Sequence, residues 1–396
     1  MRRRVTRSGS VMVAIVVAAA FLYALTASCA APAQIVRVEA NGSNSAVVTA
    51  GGDLWVWGYN YTGQVGDGTK ENNRNVPFGV RGIGKVAEVA VGYNHTLALA
   101  QDGSVYAWGS NEYGQLGVAG SQCSTVPIKV PGLEDVAAIA AGQGHSIALK
   151  SDGSVWCWGD GRFGQLGDGA RASSPAPVRA EGIDDVVFVE ASSYMSYAIK
   201  RDGTLWVWGL NASGQLGRGL DKYVFKPVQN SDIEGVVRVT GGIGHSMALK
   251  EDGTVWTWGK DEKGRLGTGK AGDSGVPAMV AIGGKAIDID AGSDFNMVLT
   301  DDGSVWAWGD NSLGQLGTGG KASLSAPAKV GSLKKITAIS CGTHHVLALA
   351  ENGDLWAWGW NIMGQLGDRS FGDRAKPVKV TLKWLRQDVL FPARRG

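Results

Sequence analysis

Cysteine, proline and excess charge are all scarce in this chain, and each shortage excludes a class of protein. The 396 residues include 4 cysteines and 11 prolines, and the formal net charge is only +2. Three scattered cysteines remain beyond the N-terminal segment, which excludes a disulfide framework. Cys157 and Cys341 take repeat positions that hold small residues elsewhere, which predicts buried thiols, and Cys123 falls in a predicted loop.

Helical periodicity is also missing, because no stretch holds a sustained 3.6-residue apolar period. Glycine and tryptophan are abundant instead, with 60 and 15 residues. Many glycines combined with many aromatics indicate short strands joined by tight turns. The chain is therefore expected to be neither helical nor disordered.

The first 33 residues form a segment separate from the predicted fold. A basic start precedes an apolar run from Val11 to Leu25, and Ala31-Pro32-Ala33 has the A-x-A pattern of a cleavage site. The apolar run is shorter than the roughly 20 residues that a membrane span needs. Three interpretations stay open: a cleaved export signal, an uncleaved N-terminal anchor, and lipidation at Cys29. Each predicts a secreted or extracytoplasmic protein that meets a membrane only through this segment.

Removing residues 1–33 reverses the sign of the net charge. The segment holds four arginines and no acids, so +2 becomes −2 for residues 34–396. A protein that binds nucleic acid needs a basic face to neutralise phosphates. No nucleic-acid partner is therefore expected.

A Trp-Gly dipeptide repeats along the rest of the chain with a period of 50 residues after one interval of 51. Its tryptophans are Trp57, Trp108, Trp158, Trp208, Trp258, Trp308 and Trp358. Prolines keep the same period from Pro77 to Pro377. Self-similarity at this spacing is typical of repeat architectures.

The third copy shows the organisation of one repeat. An apolar strand over residues 136–142 is followed by a strand over 145–150 in which large and small side chains alternate. Asp152-Gly153 then supplies a hairpin turn, and residues 154–159 return as the next strand. After a Gly-Gln-Leu-Gly segment and a polar loop, Pro177 marks the last strand.

These elements predict an all-β fold, a seven-bladed β-propeller of about 50-residue repeats with four short strands per blade. The propeller is expected over residues 34–380, with a short C-terminal tail at 381–396. A stack of parallel coils is the alternative. Closure is favoured because the first and last repeats keep the core residues and lack polar capping variants. The Trp-Gly tryptophans, and a second set of aromatics two residues before them, are expected to pack blade against blade.

The repeat closely resembles that of the regulator of chromosome condensation family. The second copy carries the motif as Gly92, His95, Asp102-Gly103, Trp108-Gly109 and Gly114-Gln115-Leu116-Gly117. Together with the N-terminal segment, the resemblance indicates an exported bacterial member. The eukaryotic founder is a nucleotide-exchange factor for a small GTPase and binds chromatin through the same fold. The even spacing leaves no room here for the large wedge that the founder inserts between repeats.

Four of the five histidines share one repeat position, which raises the possibility of a metal site. The other copies hold Asn44, Met195 and Phe295 there. A position that accepts Met and Phe is better interpreted as a packing position than as a metal ligand. No Ser/His/Asp grouping, paired acid motif or phosphate loop stands out, so no catalytic activity, metal or cofactor is expected.

The residues that follow each Trp-Gly vary between copies and are the better candidates for a site. If the ring closes, an aromatic and apolar cluster is expected where the first and last repeats meet, formed by Tyr59, Tyr61, Trp360, Ile362 and Met363. Binding hot spots favour Trp and Tyr. The alternative is that this cluster only seals the closure, beneath the tail at Trp384-Leu385. A second candidate is Tyr223 with Phe225 in the fourth repeat.

The sequence therefore predicts an extracytoplasmic scaffold that binds a protein partner. A GTPase exchange factor, a secreted enzyme inhibitor and a carbohydrate-binding propeller are the alternatives.

Overall fold

The computed structural model describes residues 34–217 and 219–381, and nearly all of their regular structure is β-strand. The expectations for residues 1–33, including Cys29, and for the tail beyond residue 381 lie outside the described residues. One 3-10 helix, η1, spans Glu262–Gly264. Within the described part of the chain, no helix has the length and apolarity to cross a lipid bilayer.

The strands form seven sheets, each of four consecutive antiparallel strands, which are numbered here as blades 1 to 7. The first strands of the blades are β1 Ile35–Asn41, β5 Val86–Val91, β9 Val136–Ala141, β13 Val186–Ser192, β17 Val236–Gly241, β21 Ala286–Ala291 and β25 Ile336–Cys341. The second strands are β2 Asn44–Thr49, β6 His95–Ala100, β10 His145–Lys150, β14 Met195–Lys200, β18 His245–Lys250, β22 Phe295–Thr300 and β26 His345–Ala350. The third strands are β3 Leu54–Gly58, β7 Val105–Ser110, β11 Val155–Gly159, β15 Leu205–Leu210, β19 Val255–Gly259, β23 Val305–Gly309 and β27 Leu355–Gly359. The fourth strands are β4 Arg74–Gly79, β8 Cys123–Lys129, β12 Ser174–Arg179, β16 Tyr223–Gln229, β20 Ser274–Val280, β24 Leu324–Lys329 and β28 Arg374–Lys379.

The Asp-Gly hairpins join the second and third strands, as the turn signals predict. In blade 2, Gly103 has φ +81°, a conformation that glycine adopts without a steric cost. The carboxylate of Asp102 accepts a hydrogen bond from the backbone N–H of Ser104 at 3.0 Å. The turn is therefore specified by two neighbouring residues.

Neighbouring blades are held together by the Trp-Gly tryptophan of one blade and the Gly-Gln-Leu-Gly segment of the blade before it. The indole Nε1 of Trp358 donates to the carbonyl oxygen of Gln315 at 2.8 Å. Gly317 has φ +68°, and a Cβ there would lie 2.7 Å from Nε1 of Trp358. All seven of these tryptophans are 0% exposed, so they form the core between the sheets.

The ring is closed, because blades 7 and 1 make the same contacts as the other pairs. Nε1 of Trp57 donates to the carbonyl oxygen of Gln365 at 2.8 Å, and the backbone N–H of Thr343 donates to the carbonyl oxygen of Gly42 at 2.9 Å. The prediction of a closed seven-bladed propeller is confirmed, and the stack of coils is wrong.

The second set of aromatics is less buried than expected. Each of the seven aromatics two residues before a Trp-Gly tryptophan is only partly buried. In blade 3, Nε1 of Trp156 donates to the hydroxyl of Ser154 at 3.2 Å, and Nζ of Lys150 lies 5.9 Å from the ring centroid. This set packs at the margin of the interfaces and contributes less to the core.

The two faces of the disc carry different connections. The loop face holds the first-to-second strand turns and the long third-to-fourth strand loops, whereas the turn face holds the Asp-Gly hairpins and the linkers between blades. Both ends of the described chain lie on the turn face: Gln34 accepts a hydrogen bond from Ala50 at 2.8 Å, and Nζ of Lys379 pairs with Asp354 at 2.7 Å.

The three cysteines among the described residues, Cys123, Cys157 and Cys341, are free thiols. Cys157 and Cys341 are buried at 0% and 4% exposure, and desolvation raises the pKa of both thiols. The prediction that Cys123 lies in a loop is wrong, because Cys123 begins β8, where it pairs with Ser110 of β7.

Acidic side chains from several blades face the central channel, which the first strands surround. Glu39, Glu190 and Asp290 come from blades 1, 4 and 6. Burial raises the pKa of Glu190 to about 8, with a further contribution from Asp290, and burial raises the pKa of Asp290 to about 6. One level away along the strands, Nε of Arg238 pairs with Oδ1 of Asp288 at 2.9 Å. The channel is thus lined by acidic side chains, and Arg238 neutralises part of their negative charge.

Candidate functional site

The repeated histidines form buried contacts between blades. His95, His145, His245 and His345 are all 0% exposed. Nε2 of His145 lies 2.9 Å from Oγ of Ser196, and Oγ of Ser196 donates its single proton to the carbonyl oxygen of Gln165 at 2.8 Å. The histidine must therefore donate its Nε2 proton to the serine.

This direction of donation excludes a catalytic Ser–His pair at these positions, because a histidine that donates to the serine cannot accept the serine's proton. Desolvation lowers the pKa of His145 to about 4 and that of His95, His245 and His345 to about 3. The four imidazoles are therefore neutral and lie at four separate interfaces, so they do not converge on a metal ion.

One group of side chains on the loop face has the spacing of metal ligands. Donor atoms of Asp294, Asp310 and His344 lie within 4.8 Å of one another. However, Nη1 of Arg265 lies 2.7 Å from Asp294, and Nζ of Lys263 lies 3.2 Å from Asp310. These cations already neutralise both carboxylates, so the group is an ion-pair network that joins blades 5, 6 and 7.

The seam patch comprises the five residues predicted at the junction of blades 7 and 1, namely Tyr59, Tyr61, Trp360, Ile362 and Met363. Tyr59 and Tyr61 stack with ring centroids 6.2 Å apart, and Trp360 packs edge-on against His344 at 5.9 Å. Sδ of Met363 accepts a hydrogen bond from Nδ2 of Asn73 at 3.2 Å, which joins blade 7 to blade 1. Tyr61 and Ile362 are 58% and 51% exposed.

The aromatic rings of the seam patch therefore form two separate contacts, Tyr59 with Tyr61 and Trp360 with His344. Among the described residues, no ring contact joins the tyrosines to Trp360. Desolvation raises the pKa of Tyr59, with smaller contributions from Tyr61 and Tyr93. Tyr93 lies on blade 2, so the aromatic surface extends from the seam toward the neighbouring blades.

A second surface spans blades 2 to 4 and is called here the aromatic–arginine patch. It comprises Tyr113, Arg162, Phe163, Tyr194 and Tyr223. The guanidinium of Arg162 lies 4.3 Å from the ring centroid of Tyr113. Phe163 meets Tyr194 edge-on at 4.9 Å and stacks on Tyr223 at 5.8 Å.

Asp160 holds Arg162 in place within this patch. Its two carboxylate oxygens accept hydrogen bonds from Nε and Nη2 of Arg162, each at 2.9 Å. This bidentate pairing fixes the plane of the guanidinium and raises the pKa of Arg162. Arg162 is therefore a preorganised, permanently charged group beside aromatic rings, with a side chain that is 49% exposed.

Two further cations border the patch on its blade 4 side. The guanidinium of Arg171 and Nζ of Lys222 lie 5.2 and 5.3 Å from the ring centroid of Tyr223, and Phe225 lies 6.4 Å from the same ring. The structure therefore connects the second predicted candidate, Tyr223 with Phe225, to residues that the sequence reasoning missed. The available signal was that Tyr113 and Phe163 are the only aromatics at their repeat position.

A small polar cavity opens between blades 2 and 3 beside the patch. Its volume is about 110 Å³, and its walls include Tyr113, Gln143, Asp160 and Tyr194. Pockets for drug-sized ligands are typically about 300–1,000 Å³. This cavity has room for one side chain of a partner and not for a cofactor.

Comparisons with known proteins identify the family. An RCC1-like domain matches residues 23–331, and regulator of chromosome condensation (RCC1) repeats match residues 336–365 and 352–387. An X-linked retinitis pigmentosa GTPase regulator homolog of Caenorhabditis elegans is 45% identical over 87 residues, which are 21% of this chain and 6% of that protein. The chain therefore spans less than a tenth of the length of this relative.

Two solved structures share the fold. Human WBSCR16 superimposes with a TM-score of 0.76 at 24% identity, covering 83% of this chain and 94% of the other. Prp20p of Saccharomyces cerevisiae, whose structure is described together with its binding properties to Gsp1p and histones, gives 0.75 at 24% identity, covering 83% and 86%. Because the domain match covers well over half of the chain, and the seven closed blades agree with it, the protein belongs to the RCC1-like domain family of β-propellers.

Proposed function

We propose that this propeller is a non-catalytic scaffold that binds a partner protein through its loop face, with the aromatic–arginine patch as the anchor. The observation that carries the proposal is Arg162, fixed by Asp160 and flanked by Tyr113 and Phe163 at a partly exposed surface. Tyr and Arg are the residues that dominate binding hot spots. A preorganised arginine also loses little entropy when a partner binds.

The seam patch extends the same surface. Tyr61, which stacks on Tyr59, is 58% exposed, and Ile362 is 51% exposed; exposed apolar surface beside an aromatic pair is typical of interaction sites. A partner that covers the loop face would bury both patches, with the aromatic–arginine patch near the centre of the contact and the seam patch toward its edge.

Affinity capture from the producing organism's envelope fraction tests this proposal. The immobilised propeller is compared with Phe163→Ser and with Val126→Ser, a matched control that removes an apolar side chain exposed by 48% on β8 that belongs to neither patch. The proposal predicts a protein that the propeller and the Val126 variant retain and the Phe163 variant loses. Equal retention by all three proteins would refute it.

Function outside the cytoplasm is part of the proposal and rests on the N-terminal sequence. Residues 1–33 fused to a reporter enzyme that is active only after export should give activity in a bacterial host. Cys29→Ala then distinguishes lipidation from cleavage or anchoring by the mass and membrane association of the product. Retention of the fusion in the cytoplasm would contradict export.

Regulation of a small GTPase is the second candidate. It is favoured by the C. elegans relative, which is described as a GTPase regulator homolog, and by Prp20p, whose binding to Gsp1p is described. A nucleotide-release assay with small GTPases from the producing organism tests it. Acceleration of release that Phe163→Ser abolishes would support exchange, whereas unchanged release would leave scaffold binding as the function.

A further inference from the structure

The polar cavity between blades 2 and 3 has a counterpart between blades 5 and 6, three repeats further along the chain. Asp160 in the cavity wall corresponds to Asp310, and Glu112, an exposed residue of the same wall, corresponds to Glu262. Only these two junctions combine a glutamate four residues after one Trp-Gly tryptophan with an aspartate two residues after the next. The two sites can therefore be compared residue by residue.

Between blades 5 and 6, cationic side chains of the chain itself occupy the site. Nη1 of Arg265 lies 2.7 Å from Asp294, and Nη2 of the same residue lies 3.6 Å from Glu262. Nζ of Lys263 lies 3.2 Å from Asp310. The side chain of Arg265 is only 3% exposed, so a buried guanidinium fills this junction.

Between blades 2 and 3, neutral residues take the positions of these cations. Tyr113 stands where blade 5 has Lys263, and Gln115 stands where it has Arg265. Oε1 of Gln115 accepts a hydrogen bond from the backbone N–H of Tyr113 at 2.9 Å, and Gly144 in the same wall adds no side chain. By repeat position, the cavity of about 110 Å³ therefore corresponds to the space that Arg265 fills at the other junction.

The carboxylates at the two junctions are also balanced differently. Between blades 5 and 6, three carboxylates face three cations, of which the third is Lys260 at 2.7 Å from Glu262. Between blades 2 and 3, Arg162 neutralises Asp160. The carboxylate of Glu112 makes no hydrogen bond or ion pair with any residue that the structure describes. The cavity therefore lacks one positive charge relative to its counterpart.

The other walls of the cavity suit an inserted cationic group. The residues that form them offer amide and hydroxyl oxygens and two aromatic rings, and they are Asn94, Ser110, Gln143, Tyr113 and Tyr194. Such oxygens accept hydrogen bonds from ammonium and guanidinium groups, and aromatic faces attract cations. Tyr113 already attracts one, since the guanidinium of Arg162 lies 4.3 Å from its ring centroid. An anionic group would instead meet the carboxylates of Glu112 and Asp160.

We propose that the cavity between blades 2 and 3 binds a basic side chain, lysine or arginine, that the partner protein inserts into the loop face. The inserted cation takes the place that Arg265 takes between blades 5 and 6, and it pairs with Glu112. This inference rests on the proposed function, because it names the chemistry of the partner that the aromatic–arginine patch recognises. Tyr113 belongs to both the patch and the cavity, so one partner segment engages both.

Small cations that imitate the two side chains test the cavity without the partner. n-Butylammonium and n-propylguanidinium are titrated into the full chain, and the amide signals of Gln143 and Gly144 are followed by NMR spectroscopy. At least one cation should bind about tenfold more tightly than neutral n-butyramide, because charge-assisted hydrogen bonds are stronger than neutral ones. The tighter cation identifies lysine or arginine. Equal affinity for n-butyramide, or no binding of either cation, would overturn the proposal.

Two variants locate the binding of the tighter cation. Glu112→Gln should raise its dissociation constant about three- to fivefold, the size expected of a partly exposed ion pair. Gln115→Arg, which copies blade 5, should fill the cavity and abolish binding. The control Glu134→Gln, which removes an exposed carboxylate on a turn-face linker, should change nothing. Binding that neither Glu112→Gln nor Gln115→Arg weakens would overturn the proposal. Because Glu112 is exposed, its variant decides the question even if Gln115→Arg does not fold.

Capture of the partner separates this inference from the proposed function. Gln115→Arg should retain the captured protein at least about tenfold less well, since the cavity lies beside the anchor residues of the patch. Equal retention by the unmodified propeller and by Gln115→Arg would overturn the inference and leave the scaffold proposal intact. If neither retains a protein, the scaffold proposal fails, and the small cations alone decide whether the cavity is a cation site.

Discussion

Nε2 of His345 lies 2.8 Å from Oγ of Ser45, although 300 residues separate them in the sequence. Oγ of Ser45 passes its own proton to the carbonyl oxygen of Gln365 at 2.7 Å, so the neutral imidazole is the donor. The same relay recurs at the interfaces of His95 and His145. The first and last blades are therefore joined by the device that joins consecutive ones.

Acidification should destabilise the propeller through these histidines. Their folded-state pKa values of about 3 to 4 lie below the ordinary value of 6.5, so between these limits the unfolded chain binds more protons. Stability is complete above pH 6.5 and falls as the pH decreases, by about 1.4 kcal/mol per pH unit for each histidine. Urea unfolding at pH 7, 6 and 5 measures this slope. His145→Met, which copies Met195 of blade 4, should reduce it, and an unchanged slope would contradict the assignment.

Replacing Glu190 in the central channel should have the opposite pH dependence. Its pKa is raised to about 8, so the folded state binds more protons than the unfolded state above pH 4.5 and stability falls as the pH rises toward 8. Glu190→Gln should therefore stabilise by about 1–3 kcal/mol at pH 8 and by little at pH 4. Glu134→Gln, on the exposed linker, is the control and should change stability little at either pH.

Two glycines with the same backbone conformation should respond differently to alanine. Gly317 and Gly269 have φ of +68° and +70°, but only at Gly317 would a Cβ press on Trp358, whereas nothing lies within 4 Å at Gly269. An alanine in the left-handed conformation should lower the stability of both variants by about 1–2 kcal/mol. Gly317→Ala should lose a further 1–3 kcal/mol, roughly, from overpacking. Equal losses of stability for the two variants in thermal unfolding would mean that the close approach of residue 317 to the indole does not affect the free energy of unfolding.

Loss of one aromatic ring should separate binding from stability at the aromatic–arginine patch. Phe163→Ser should weaken capture of the partner by about 2 kcal/mol or more, the level of a hot-spot residue. Because Phe163 is only partly buried, the unfolding temperature should fall modestly. Binding measured by titration calorimetry with the captured partner checks this, and undiminished affinity would exclude Phe163 as an anchor.

The seam patch can be tested in the same way. Tyr59→Ser combined with Trp360→Ser should lower affinity by a smaller amount than Phe163→Ser, since rim contacts contribute less than central ones. Reduced stability with unchanged partner capture would show that these side chains only seal the ring.

The fold was predictable because the same strand and turn signals recur in seven copies of the repeat. A hairpin such as Asp102-Gly103 and the alternation in residues 145–150 are local signals, and each copy reinforces the others. The unequal burial of the two aromatic sets was not predictable from their spacing. Both sets lie on one side of a strand, but the Gly-Gln-Leu-Gly segment of the neighbouring blade covers only the Trp-Gly set.

The candidate site was predictable only in part. The seam patch follows from ring closure, which brings copies one and seven together. The aromatic–arginine patch depends on Tyr113, Phe163, Tyr194 and Tyr223, which come from three blades and from different repeat positions. These contacts depend on how the sheets are inclined to one another and on the path of the loops. Neither can be read from a local sequence pattern. Arg162 was visible as a varied loop residue, but its partner Asp160 and its neighbour Tyr113 identify its role.

The hydrogen bond from Thr343 to Gly42 has a consequence for how the polypeptide can be rearranged. Since the junction of blades 7 and 1 carries the same hydrogen bonds as the others, the closed ring does not require the chain to begin and end at that junction. A circularly permuted gene that joins Val380 to Ile35 through Pro-Gly-Leu-Glu-Asp, the linker at residues 131–135, and opens the chain between two other blades should yield the same disc with new termini.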